Sequence, residues 1–174
     1  MANIKIILGD ITAAKVDAIV NAAKPSLTGG RGVDGAIHKA AGPSLLEECL
    51  QLKLYDGIRC PVGGARITSA GFLESKWVIH TVGPIYKDSN KPQELLHSAY
   101  VNSIELAIRH KCKSVAFPAI SCGKYGYPHE EAVEVAINSL KPYLNTGIEV
   151  YFYIVEEDLY RKYKSRLSID ETGT

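Results

Sequence analysis

Between Gly29 and Asp34 the chain sets three glycines in four positions, with a carboxylate two residues beyond the last. That spacing suits chemistry on a phosphorylated ligand. Glycines let main-chain N–H groups approach an anion without obstruction by a Cβ. The small residues that follow, Gly35 to Ala41, read as a helix whose first turn adds free N–H groups and a favourable dipole. Asp34 stands at that helix start. It is either an acidic first-turn residue that suits the dipole or a base held beside a phosphorylated sugar. His38 comes one turn later, and either shares the face of Asp34 or bonds to nearby backbone.

Other chemistries fail on particular residues. Gly123-Lys124 invites comparison with a nucleoside-triphosphate loop. That motif needs glycine where Pro118 stands and a hydroxyl residue where Tyr125 stands. No serine lies in a Gly-x-Ser-x-Gly elbow. His38, His80, His97, His110 and His129 are scattered, with no metal-ligand spacing. The four cysteines, at 49, 60, 112 and 122, fit neither a zinc ribbon nor a disulfide scaffold. Cys122 has no evident base and reads as a small loop residue.

These residues must be positioned by an alternating set of elements. Ile4 to Leu8 and Val16 to Val20 are short apolar runs that predict buried strands. Helical character runs from Val33 to Leu54, broken at Gly42-Pro43. Gly63 to Ala70 and Trp77 to Val82 are further strand candidates. Helical spacing of Leu95, Leu96, Ala99, Ser103 and Leu106 predicts a helix over Lys91 to His110. Ser114 to Phe117 is a strand that stops at Pro118. Pro128 suits a first helical position, and Pro142 ends that helix. Ile148 to Val155 is a strand, and Leu159, Tyr160, Tyr163 and Leu167 mark a last helix. Strands alternating with helices imply an α/β sheet covered on both faces. The first two strands have no helix between them, which suggests a mixed sheet.

The chain has 174 residues, which suits one domain. A formal charge of +1 and a pI near 7.7 disfavour a nucleic-acid surface. There is no leader-like apolar stretch and none long enough to span a membrane. Reduced thiols in a cytoplasmic protein are therefore expected.

The run from Asn21 to Gly42 resembles the macro domain family, in its ADP-ribosyl hydrolase branch. It matches at Asn21, Ala22, Ala23, Leu27, Gly29, Gly30, Gly32, Val33, Asp34, Gly35, Ile37, His38, Ala40, Ala41 and Gly42. It departs at Lys24, where the family has asparagine, and at Arg31, where it has glycine. Phe117 to Pro128 resembles the family's other phosphate loop, and Gly9-Asp10-Ile11-Thr12 its adenine-binding turn. The likeness runs from Ile4 to about Leu167. It implies a three-layer α/β/α sandwich with a mixed, mostly parallel sheet. It also implies one macro domain over 1–167, followed by a short, frayed polar tail over 168–174.

The resemblance also implies a site. Asp10 would take the adenine amine, and the backbone of Ile11 would read the base edge. Asn21 would bond the distal ribose. Gly32, Val33, Ser121, Cys122, Gly123, Lys124 and Tyr125 would wrap the diphosphate and distal ribose, largely through backbone N–H groups. Asp34 would sit near the anomeric carbon as catalytic base. Lys24 would stand at the ribose, either paired with Asp34, crowding the sugar or turned to solvent. Arg31 would clamp a phosphate or remain an exposed charge. Valine at 155, where several members carry an aromatic residue, would offer the adenine less contact. Hydrolysis of ADP-ribose esters is the activity so implied, on O-acetyl-ADP-ribose or on mono-ADP-ribosyl-carboxylates of proteins. It needs no metal or cofactor. A non-catalytic ADP-ribose reader is the alternative, because of Lys24.

Overall fold

The structure, a computed structural model, describes residues 3–172. Six strands form one sheet: β1 (Ile4–Leu8), β2 (Ala18–Ala22), β3 (Ala65–Ser69), β4 (Trp77–Thr81), β5 (Ser114–Phe117) and β6 (Glu149–Ile154). Their spatial order is β1-β6-β5-β2-β4-β3. All neighbours are parallel except β3, which runs antiparallel to β4 at the edge. The sheet is mixed as expected, but for a different reason. β1 and β2, joined by a 3₁₀ turn (Ile11–Ala13) and no α-helix, are not neighbours and run the same way. The strands joined closely enough to reverse are β3 and β4.

Five helices cover the faces: α1 (Gly32–Ala41), α2 (Pro43–Gln51), α3 (Pro92–Arg109), α4 (His129–Leu140) and α5 (Glu157–Thr172). The central strands β2, β4 and β5 are largely apolar on both sides, as a sheet buried between helix layers requires. Ala18, Val20, Ile79, Val115 and Phe117 join the core under α3, α4 and α5. Ile19, Val78 and Ala116, the alternate residues, join Ile37, Ala41 and Leu45 under α1 and α2. This is the expected three-layer α/β/α sandwich.

Several boundaries differ from the sequence reading. β2 begins and ends two residues later than its apolar run, because its ladder with β4 extends to Asn21↔His80 and Ala22↔Thr81. Asn21 is thus a strand residue. Pro128 precedes α4 rather than opening it, although its carbonyl accepts from Ala132. Pro142 tightens the helical path into a 3₁₀ stretch, Lys141–Thr146, instead of stopping it. α5 continues through Ser168 as far as Thr172. Asp170, expected in a frayed tail, accepts from Arg166 at 2.5 Å and from Lys141 at 3.1 Å. Residues 173–174 of that tail lie outside the described residues. No helix among the described residues is long and apolar enough to cross a membrane.

Candidate active site

Five parallel strands end on one side of the sheet, where open α/β sheets place ligands. The segments leaving β2, β4 and β5 there wall a cleft of about 810 Å³. The exit of β2 contributes Ala22, Ala23 and Lys24. The glycine loop and the start of α1 contribute Gly30, Arg31, Gly32, Val33 and Asp34. Gly83 follows β4, and Ala119, Ile120, Ser121, Gly123, Lys124 and Tyr125 follow β5.

α1 begins without a side-chain cap at Arg31, and the first amide to find a main-chain acceptor is that of Gly35, on Arg31. The amides of Gly32, Val33 and Asp34 take no main-chain acceptor among the described residues, an arrangement that suits an anion. The glycine loop lies close on the helix. A Cβ at Gly35 would stand 2.6 Å from the Gly30 carbonyl oxygen. Opposite, Ser121 takes a left-handed φ of 66°. Its Oγ donates to the Pro84 carbonyl at 2.8 Å, and its own carbonyl accepts from Tyr127 at 2.9 Å. Gly126 donates to Gly123 at 3.0 Å, and Tyr86 to Tyr125 at 2.9 Å. The loop is thus fastened while the amides of Gly123, Lys124 and Tyr125 take no main-chain acceptor among the described residues. Two sets of free amides therefore face one cleft, with Arg31 and Lys124 adding positive charge.

Asp34 is 5% exposed. Its Oδ1 accepts from Asn21 Nδ2 at 2.8 Å and lies 3.4 Å from His38 Nε2. His38 does share the Asp34 face. Behind them stands His80, fully buried, on the strand next to Asn21 and in register with it. The hydrogens follow from the partners. Thr68 Oγ1 donates to the Ser69 carbonyl, so at 2.9 Å it accepts from His80 Nε2–H. His80 Nδ1 then carries the lone pair and accepts from Asn21 Nδ2 at 3.2 Å. Asn21 spends both amide hydrogens, one on His80 and one on Asp34. Its Oδ1 is buried with no partner. Burial first, then the nearby His38, pushes the His80 imidazole down to about 3, so it stays neutral. Burial, and then the Asp34 carboxylate, pushes the Tyr125 phenol up.

Lys24, Gly32, Val33, Asp34, Ser121, Gly123, Lys124 and Tyr125 line the cleft, and Asn21 stands directly behind it. Cys122 does not line it. Its thiol packs in the core, its amide donates to Ala119 at 3.3 Å, and burial pushes it up to about 12, with Glu156 adding. The loop turns this residue inward between Ser121 and Gly123, which line the cleft. Asp10 and Ile11 lie beyond the walled part, after β1. Asp10 accepts from the Thr12 amide at 2.9 Å, and Ile11 is buried. Val155, after the adjacent β6, is 74% exposed. Lys24 is exposed and makes no ion pair with Asp34. Sequence reasoning passed over Gly83 and His80. Gly83 follows a strand end, where the sheet rule alone would have found it. His80 needed the β2–β4 register. Among the described residues no His, Cys, Asp and Glu cluster could hold a metal ion.

Residues 20–136 match the sequence model of the macro domain family. A macro domain-containing protein of Vibrio parahaemolyticus is 52% identical over 91% of this chain and 94% of its own. An O-acetyl-ADP-ribose deacetylase of Citrobacter rodentium is 49% identical over 96% of each chain. The Oceanobacillus iheyensis macrodomain, solved with ADP, superposes with a TM-score of 0.92 at 40% identity, covering 97% of this chain and 92% of that one.

Proposed function

The chain belongs to the macro domain family, and on that premise we propose that it binds ADP-ribose in the cleft and hydrolyses O-acetyl-ADP-ribose. The observation that carries this reading is Asp34: a nearly buried carboxylate on the cleft wall, held by Asn21 and His38 at an uncapped helix start. The amides of the two loops take the diphosphate, with Arg31 and Lys124 matching its charge. Asn21, buried behind the cleft wall, holds Asp34 Oδ1 and so aims the carboxylate at the distal ribose. Beyond the cleft, Asp10 and Val155 border the adenine.

Water alone is a poor nucleophile at neutral pH. Asp34 orients one molecule and takes its proton as the oxygen attacks the acyl carbon, a contribution of about 10²–10⁴-fold. The acyl–oxygen bond to the ribose then breaks, and the ribose oxygen recovers the proton from Asp34. Acetate and ADP-ribose are the products. The same chemistry extends to ADP-ribose esters of protein carboxylates, and the setting is the cytoplasm.

The test is turnover of O-acetyl-ADP-ribose by the wild type and by Asp34→Ala, with ADP-ribose binding followed by calorimetry. The expected result is turnover that Asp34→Ala lowers by about 10²–10⁴-fold while binding persists. Tight binding by a wild type that releases no acetate would make the protein a reader instead.

A further inference from the structure

Lys24 is fixed in place by its backbone rather than by a partner for its charge. It opens a turn in which Leu27 N–H donates to its carbonyl at 2.9 Å. Leu27 is buried, and Arg59 holds the turn from behind. The Arg59 guanidinium donates to the Ser26 carbonyl at 3.0 Å, and its amide to Pro25 at 3.0 Å. The side chain leaves this pinned turn along the cleft wall toward Asp34. Over Gly30 the two ends converge: a Cβ there would lie 3.7 Å from Lys24 Nζ and 3.1 Å from Asp34 Oδ2. They are neighbours without being an ion pair. Asp34 Oδ1 is the atom engaged by Asn21 and His38, so Oδ2 is the oxygen turned to the gap. An ammonium and a carboxylate oxygen thus come together over Gly30 on one wall of the cleft.

Resting on the hydrolase reading above, we propose that Lys24 is the electrophilic partner of Asp34 in ester hydrolysis. Its ammonium donates to the acyl carbonyl oxygen while Asp34 Oδ2 takes the proton from water. As the water oxygen bonds to the acyl carbon, the carbonyl π pair moves onto the oxygen that Lys24 faces. When that pair returns, the bond to the ribose oxygen breaks and the proton on Asp34 passes to the leaving oxygen. Lys24 keeps its proton throughout. A donor placed this way acts most strongly where charge develops. An ammonium assists a bond whose cleavage charges a carbonyl and does nothing for an N-glycosidic link.

The experiment compares wild type, Lys24→Met and Lys24→Arg on O-acetyl-ADP-ribose and on its chloroacetyl analogue. Calorimetry with ADP-ribose runs alongside. For Lys24→Met we expect kcat on the acetyl ester to fall on the order of 10²-fold with the ADP-ribose Kd changed by less than about threefold. The loss shrinks on the chloroacetyl ester, whose carbonyl needs less assistance, and Lys24→Arg recovers most of the rate. An unchanged kcat in Lys24→Met overturns the assignment, as does a rate loss matched by an equal loss of ADP-ribose affinity. Both leave the hydrolase reading standing. A wild type that binds ADP-ribose and cleaves neither ester overturns both.

Discussion

Asn21 decides how Asp34 presents itself. Both of its amide hydrogens are committed, so one carboxylate oxygen is held and the other is turned to the cleft. Replacing Asp34 by Asn tests this directly. An amide there sets its own N–H groups or its weaker oxygen against Asn21 Nδ2, so acetate release should fall by about 10²–10⁴-fold while ADP-ribose still binds. His80 adds a pH dependence. Its imidazole titrates near 6.5 when exposed and near 3 in the fold. Between those values the unfolded chain holds the extra proton, so stability is whole above about pH 6.5 and is lost as pH falls toward 3. The slope from this one residue is about 1.4 kcal/mol per pH unit. Chemical denaturation from pH 7 to 4 should show it, and His80→Asn should flatten it. A slope unchanged by that substitution would mean the imidazole is not held neutral.

At the scale of elements, the two loops are set by close backbone approaches that only glycine permits. A side chain at Gly83 would run into Ser121 and Ile120, the residues that begin the second loop. Gly83→Val should therefore push that loop away from the cleft and weaken ADP-ribose by about tenfold or more, since the loop donors act only when aimed together. Calorimetry measures it, and unchanged affinity would exclude this loop from the phosphate site. Gly35→Ala tests the first loop in the same way. The left-handed Gly42, whose amide donates to His38, separates α1 from α2 and is the kind of break a Gly-Pro pair announces. β5 was equally legible, an apolar run stopped by proline. The end of β2 was not. Asn21 interrupts the apolar pattern, and only the pairing with β4 keeps it in the ladder.

For the whole molecule, binding and folding are linked. A ligand held by segments from β2, α1, β4 and β5 binds the native state alone. ADP-ribose at a hundred times its Kd should add about 2.7 kcal/mol of stability and raise Tm by roughly 5–10 °C. Thermal denaturation with and without the nucleotide checks this, and no shift would mean that the nucleotide does not bind the native state. The same geometry explains what the sequence could reveal. The glycine spacing and Asp34 are local, so the linear sequence could raise them as candidates, while leaving Asp34 open between a helix-start residue and a base. The Thr68–His80–Asn21 connection joins β3, β4 and β2, and Asn21 and His80 are 59 residues apart. Nothing in a linear reading pairs them. The inward turn of Cys122 is illegible for a related reason. Ser121 is left-handed and Cys122 beside it does not line the cleft, and a serine does not advertise that conformation.

The neutral imidazole at the back of the cleft also has a spectroscopic consequence. A ring N–H that is sealed from solvent and donated to a threonine oxygen exchanges slowly with water. With the ring labelled by nitrogen-15, His80 should give a persistent resonance where exposed histidines give none. Because its other nitrogen is bonded to Asn21, that resonance registers any ligand that draws on the Asn21 amide. Occupancy of the cleft can then be followed from a single atom that no ligand touches.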